Sequence, residues 1–104
     1  MDRRLKSLLS LCQKAGKLVS GEALCENALK AQLARLVIIS EEASDNTKKK
    51  FINKSFFYKI DCFVYGMRVE LNAAIGKENR STIVITDDNF ANKIRALIKV
   101  EEEQ

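Results

Sequence analysis

The run Arg35-Leu-Val-Ile-Ile-Ser40 constrains the fold of this chain more than any other segment. Leu36 to Ile39 is aliphatic at every position. Successive side chains of a strand point to opposite faces of its sheet, so such a strand needs cover on both faces. Helices packed on the two sides of a sheet supply it. The flanking periodicities match. Leu5, Leu8, Leu9 and Cys12 recur at helical spacing, which predicts an amphipathic helix over residues 3 to 15 that ends near Gly16. Lys17 to Ser20 reads as a short strand. Ser20 or Gly21 opens a second helix, with Leu24, Cys25, Ala28 and Leu29 on its buried face. The aliphatic strand follows, over Leu36 to Ser40.

Ser44 or Asn46 then caps a third helix. It carries Lys48, Lys49 and Lys50 on its first turns, and Phe51, Ile52, Ser55 and Phe56 on its apolar side. Cys62 to Tyr65 is the next strand. Val69, Leu71, Ala74 and Ile75 predict a short helix that ends at Gly76. Thr82 to Thr86 is the last strand. Asp87 and Asp88 offer caps for a final helix with Phe90, Ile94, Leu97 and Ile98 at i, i+4, i+7 and i+8. The order α-β-α-β-α-β-α-β-α implies an α/β fold with a central sheet between layers of helix.

A chain of 104 residues without proline, linker or internal repeat suits a single domain over 1–104. Hydrophobic residues make up 46% of it, enough for a core and too many for global disorder. Eighteen Lys and Arg face fourteen Asp and Glu. Three of the acids, Glu101, Glu102 and Glu103, are read as an acidic C-terminal tail over 101–104. Without them the basic excess rises from four to seven. Such a surface suggests a polyanionic partner, although a solvated lysine-rich surface has the same counts.

Histidine is absent, which removes the commonest general base and the commonest zinc ligand. Cys12, Cys25 and Cys62 stand far apart and form no C-x-x-C pair. Buried free thiols in a reducing cytoplasm are expected, with no metal, no cofactor and no disulfide. No apolar run approaches about 18 residues, so no membrane span is expected. The N-terminal Met-Asp-Arg-Arg-Leu-Lys lacks the apolar region of a signal peptide.

Three places hold candidate chemistry. Lys14, Gly16, Lys17, Ser20 and Gly21 surround one strand-to-helix turn. The first amides of a helix lack intrahelical partners and carry partial positive charge, so this turn is a natural anion site. An ordinary helix start accounts for the same residues, and Glu22 already complements the dipole. The second place is Ile75-Gly-Lys-Glu-Asn-Arg80, where Lys77 and Arg80 flank a loop before the last strand. Arg can grip a phosphate through two parallel N–H bonds and Lys acts as a point charge. A charged surface loop is the plainer explanation. The third is Lys48-Lys49-Lys50 with Lys54 and Lys59, a solvated face or an electrostatic track for a nucleic-acid backbone. Caps explain Asp45, Asp87 and Asp88 without catalysis.

These features together resemble the L-seven-Ae/L-thirty-e family of ribosomal proteins, many of which bind kink-turn RNA. The carrying residues are Ala15-Gly16-Lys17-Leu18-Val19-Ser20-Gly21, then Ala34 to Ser40 with Glu41-Glu42-Ala43-Ser44, then Glu70-Leu71 leading to Gly76-Lys77-x-x-Arg80. The bacterial YlxQ-like branch is the nearest in pattern. The resemblance covers residues 3 to about 99 and rests on order and spacing rather than on one motif. It implies a three-layer α-β-α sandwich around a mixed four-stranded sheet. It also implies an RNA site of Lys17, Gly21, Glu22 and the following helix start, with Arg68 and Gly76 to Arg80. Kink-turn binders place Asn-Glu two and three positions after the glycine and Lys at six; here those positions are Ala23, Leu24 and Asn27.

The expectation is therefore a cytoplasmic, monomeric, non-catalytic RNA-binding protein. Its partner is structured or ribosomal RNA, with the ribosome as a candidate assembly. Lys17, Lys77 and Arg80 would meet phosphates, Gly21 and Gly76 would offer amides, and Glu22 and Asn27 would meet base edges. A protein–protein adaptor on the same fold is the alternative, favoured by Ala23-Leu24. A nucleotide-dependent enzyme is disfavoured, since neither G-x-G-x-x-G nor G-x-x-x-x-G-K-[ST] occurs.

Overall fold

The computed structural model describes residues 1–103, in which five helices and four strands alternate. They are α1 (Arg3–Lys14), β1 (Leu18–Ser20), α2 (Glu22–Lys30), β2 (Leu36–Ile39), α3 (Asp45–Tyr58), β3 (Cys62–Val64), α4 (Arg68–Ile75), β4 (Thr82–Ile85) and α5 (Asp88–Glu102). Each lies within a few residues of its predicted place. The helix ends have local causes. Asp2 caps α1 by accepting from the Arg4 N–H, Ser44 caps α3 through the Thr47 N–H at 3.2 Å, and Asp87 caps α5 through the Phe90 N–H at 2.9 Å. Gly76 ends α4 at φ +67°, the left-handed conformation in which a helix commonly stops.

The sheet order is β1-β4-β2-β3, with β4 antiparallel to both neighbours and β2 parallel to β3. The two central strands, β2 and β4, are buried at every position. Leu36 and Ile38 of β2 turn to one face with Ile83 and Ile85 of β4. They meet Leu5 and Leu9 of α1, Leu71 of α4, and Ile94 and Ile98 of α5. Val37, Ile39 and Val84 turn to the other face, against Cys25 and Leu29 of α2 and Phe51 of α3. This is a three-layer α-β-α sandwich on a mixed four-stranded sheet.

Three residues placed on buried or apolar faces by periodicity lie outside instead, as does Val69 of the short helix. Leu24 of α2, Ile52 and Phe56 of α3, and Val69 of α4 are all exposed, Phe56 by 85%. The layer above each helix is solvent, so apolar residues beyond the inner stripe find no neighbour. The C-terminal acids also differ from a free tail. Glu101 and Glu102 form the last turn of α5, and Glu103 caps it. Glu101 accepts from the Asp2 N–H at 2.8 Å and from the Tyr65 hydroxyl. Gln104 lies outside the described residues.

Candidate nucleic-acid interface

The register brings four connecting segments to one end of the sheet. Ser20 of β1 pairs with Ile83 of β4, and the Gly21 N–H donates to the Thr82 carbonyl at 3.0 Å. Ile39 of β2 pairs with Thr82, and the Ser40 N–H donates to the Ser81 carbonyl at 2.9 Å. β3 runs parallel to β2, and the Glu41 N–H reaches the Gly66 carbonyl at 2.9 Å. Thus β1, β2 and β3 all end where β4 begins. Helices α2, α3 and α4 start at this same end, each following one of those strands. Three helix N-termini therefore direct unsatisfied amides and partial positive charge toward one surface.

Two side chains are built into that surface with care for their surroundings. Gly21 has φ +91°, and a Cβ there would stand 2.9 Å from Nη1 of Arg80. The guanidinium of Arg80 lies over the glycine because no side chain intervenes. Asn72, buried on α4, holds the arginine's backbone in place. Its Nδ2 donates to the carbonyls of Arg68 at 2.7 Å and Arg80 at 2.9 Å, and its Oδ1 accepts from the Arg80 N–H at 3.0 Å. The first turn of α4 and the loop before β4 are thus tied together. Nε of Arg68 and Nε of Arg80 are both buried without a hydrogen-bond partner among the described residues. Unmatched buried donors are rare and mark a place where a further acceptor is wanted.

Acidic groups complete the surface. Glu22 accepts from the Thr47 hydroxyl at 2.6 Å and lies 4.0 Å from Nζ of Lys50, which ties the starts of α2 and α3 together. Glu42 accepts from the Arg68 N–H at 2.6 Å. A cleft between these groups is lined by Gly21, Glu22, Ser44, Thr47, Arg68 and Asn79, among others. A neighbouring hollow runs along the outer side of α4, past Met67, Val69 and Lys77. The combination offers cationic and amide donors beside carboxylate and amide acceptors.

The buried thiols are not activated nucleophiles. Burial pushes the Cys25 thiol, just behind the cleft on α2, up to about 11, and does the same for Cys12. Among the described residues no group of three metal-ligating side chains comes together.

A sequence profile of the ribosomal protein L7Ae/L30e/S12e/Gadd45 family matches residues 3–95. The chain belongs to that family. It is 41% identical over 91 residues to the RNA-binding protein YlxQ of Bacillus subtilis (strain 168), covering 88% of this chain and 91% of that one. It is 36% identical over 97 residues to the RNA-binding protein YlxQ of Enterococcus faecium, with 93% of each covered. A solved structure described as a protein with unknown function from Bacillus halodurans C superposes with a TM-score of 0.90 at 38% identity, over 94% of this chain and 99% of that one.

Within this family member, the expected site residues divide. Gly21, Glu22, Arg68 and Arg80 come together at the converging helix starts, and Lys77 stands beside them along α4. Lys17 does not. It precedes β1 at the opposite end of the sheet, where its carbonyl accepts from the Thr86 N–H at 2.9 Å. Gly76 sits against the C-terminal half of α1, near Gln13 and Lys14. Asn27 is exposed on α2 and does not line the cleft. Asn79 falls within the expected Gly76 to Arg80 loop, whereas sequence reasoning missed Glu42, Ser44, Thr47 and Asn72 as parts of the surface. Three of them carried a signal: Asn72 is a polar residue on an otherwise apolar helix face, and Glu42 and Ser44 lay within the matched pattern.

Proposed function

We propose that this protein is a non-catalytic, cytoplasmic RNA-binding protein that grips structured RNA, ribosomal RNA included, at the end of the sheet where α2, α3 and α4 begin. One observation carries the reading: the Arg80 guanidinium, positioned by Asn72 over the bare backbone of Gly21, has a buried donor with nothing of its own to bind. The names of the two YlxQ relatives support it. Arg80, Arg68 and Lys77 meet phosphate oxygens, which fixes the RNA's register. The carboxylates of Glu22 and Glu42 and the amide of Asn79 accept from, or donate to, exposed base edges of a bulge or internal loop. The protein acts as a monomer, and any assembly with the ribosome passes through the RNA.

The adaptor reading has one observation in its favour. Leu24, three residues past the glycine, is 55% exposed beside the site. RNA affinity measured against salt separates the two. Arg80→Ala and Lys77→Ala each remove about one phosphate contact and lower the salt slope by roughly one unit. Gly21→Val does more, since it forces a branched residue to positive φ and displaces Arg80. Lys48→Ala, on the first turn of α3 but outside the lining of the cleft, has less effect on a compact RNA with no single-stranded flank. An equal loss from Lys48→Ala on that compact RNA means diffuse binding and a wrong site. Absence of RNA binding, with retention of a protein partner through Leu24, replaces this function with the adaptor.

A further inference from the structure

Helix α3 is apolar on two sides. Phe51 and Ser55 face the core, fully buried. On the outside, Ile52 is 45%, Phe56 85% and Phe57 75% exposed. Ile52 and Phe56 are four residues apart, so they stand on one stripe of the helix surface, and Phe57 adjoins it. Tyr58 meets the Phe57 ring edge-on with centroids 4.9 Å apart, which props that ring in place. From Lys48 to Ile60 the chain carries five lysines and not one acid. Among the described residues only Lys50 of these five is in an ion pair, with Glu26 and Glu22. Lys48 and Lys49 precede the aromatic stripe and Lys59 follows it. The start of α3 is part of the cleft, through Ser44 and Thr47.

We infer that the outer face of α3 is a second RNA contact, a track for the single-stranded nucleotides that leave the cleft. This rests on the RNA-binding function proposed above. Two unpaired bases stack on Phe56 and Phe57, while Lys48, Lys49 and Lys59 meet the phosphates between and beside them. Stacking on aromatic rings needs no particular base, so this contact adds affinity with little sequence preference. Charge decides the class of occupant. Asp61 lines the hollow beside the two exposed rings, but Arg95 pairs with it at 2.7 Å, so the lysines set the sign of the surface. Lysines around two exposed rings are complementary to a polyanion that carries flat apolar groups, which is a single-stranded nucleic acid. The geometry decides the direction, because Phe57 lies ten residues beyond Thr47, about 15 Å along the helix axis from the cleft.

The test uses three synthetic probes: an internal-loop RNA hairpin with blunt ends, the same hairpin with an oligouridine tail of about six nucleotides, and free oligouridine. The tailed hairpin is expected to bind about tenfold tighter than the blunt one. Phe56→Ala and Phe57→Ala are each expected to lose most of that gain and to leave blunt-hairpin affinity unchanged. Both rings are exposed, so folding is retained, as circular dichroism will verify. Phe56→Leu keeps an apolar side chain without an aromatic face and should behave as Phe56→Ala. Equal binding of tailed and blunt hairpins overturns the inference while the cleft function stands. If neither hairpin binds, the cleft function fails, and α3 is judged on free oligouridine alone: its binding must fall with Phe56→Ala and with Lys49→Ala. If Phe56→Leu acts as wild type, or the alanine variants change self-association and not RNA affinity, the face belongs to a protein contact and the track is refuted.

Discussion

Removing the amide of Asn72 would strip partners from the N–H and carbonyl of Arg80 at once, and would leave the carbonyl of Arg68 with its helical bond alone. Buried backbone groups left unmatched cost about 1–3 kcal/mol each, less what water can repair. Asn72→Ala is expected to lower unfolding free energy by about 2–4 kcal/mol in a urea titration. It should also weaken RNA binding as much as Arg80→Ala does, since the arginine loses its anchor. Asn72→Asp keeps the bond from the Arg80 N–H but turns a carboxylate toward two carbonyls, and should be as harmful. A neutral outcome for either variant would show that the loop holds its shape unaided.

The thiols make a second prediction of this kind. Burial raises Cys12 and Cys25 to about 11, above an unfolded value near 9. The folded state therefore keeps these protons to higher pH than the unfolded chain does. Their contribution is complete below about pH 9 and is lost as pH rises through about 11. Urea midpoints should fall over that window, and less so in a Cys12→Ala, Cys25→Ala double variant measured against its own value at neutral pH. At pH 8 both thiols should resist alkylation until the protein unfolds.

The helices α2, α3 and α4 present their N-termini at one place because each follows a strand of the same direction. That shared direction, set by β4 running antiparallel to both β1 and β2 and by β3 parallel to β2, turns three weak dipoles into one field. The start of α3 is largely exposed and depends on its cap. Ser44 takes the Thr47 N–H, and Thr47 in turn donates to Glu22 on α2. Ser44→Ala is expected to cost about 1 kcal/mol in stability. It should also reduce RNA affinity by fraying the turn that holds Thr47 against Glu22. Ser44→Asp restores the cap and should recover stability, whereas RNA affinity should stay low because a new negative charge enters the cleft. Recovery of both would mean that Ser44 acts on the helix alone.

Across the whole molecule, the two ends of the chain close one side of the sandwich. The Met1 amine meets Glu70 of α4 at 2.9 Å, and the Asp2 N–H and the Tyr65 hydroxyl both reach Glu101 at the end of α5. The hydrogen bond with Glu70 raises the Met1 amine, and burial, reinforced by Glu101, raises Tyr65. Both shifts act in the same alkaline direction as the thiols. Glu101→Ala should destabilise the protein by about 1.5–3 kcal/mol, the range for hydrogen bonds to a charged group, with no loss of RNA affinity. A gain in RNA affinity without destabilisation would instead mark Glu101 as part of an unstructured acidic segment that competes with RNA.

Local physics was legible in the sequence alone. Strands came from β-rich apolar runs, and helices from a period near four with caps at Ser44 and Asp87 and a stop at Gly76, all decided by residues a few positions apart. The nearness of the Gly21 turn to the loop before β4 came from the family resemblance rather than from spacing, and the antiparallel pairing of β1 with β4 produces it. What the tertiary structure decided depends on which distant surface covers a given residue. The apolar pattern of α3 cannot say that Phe51 is buried and Phe56 is not, because both satisfy a helical period and only the sheet beneath selects one side. Lys17 and Gly21 look adjacent in the chain, yet an extended strand carries them to opposite ends of the sheet. Glu22 and Thr47, Asn72 and Arg80, and Glu101 and Asp2 meet only when the layers pack, and no local propensity encodes those pairings. The strand order β1-β4-β2-β3 brings them together, and with them the cleft.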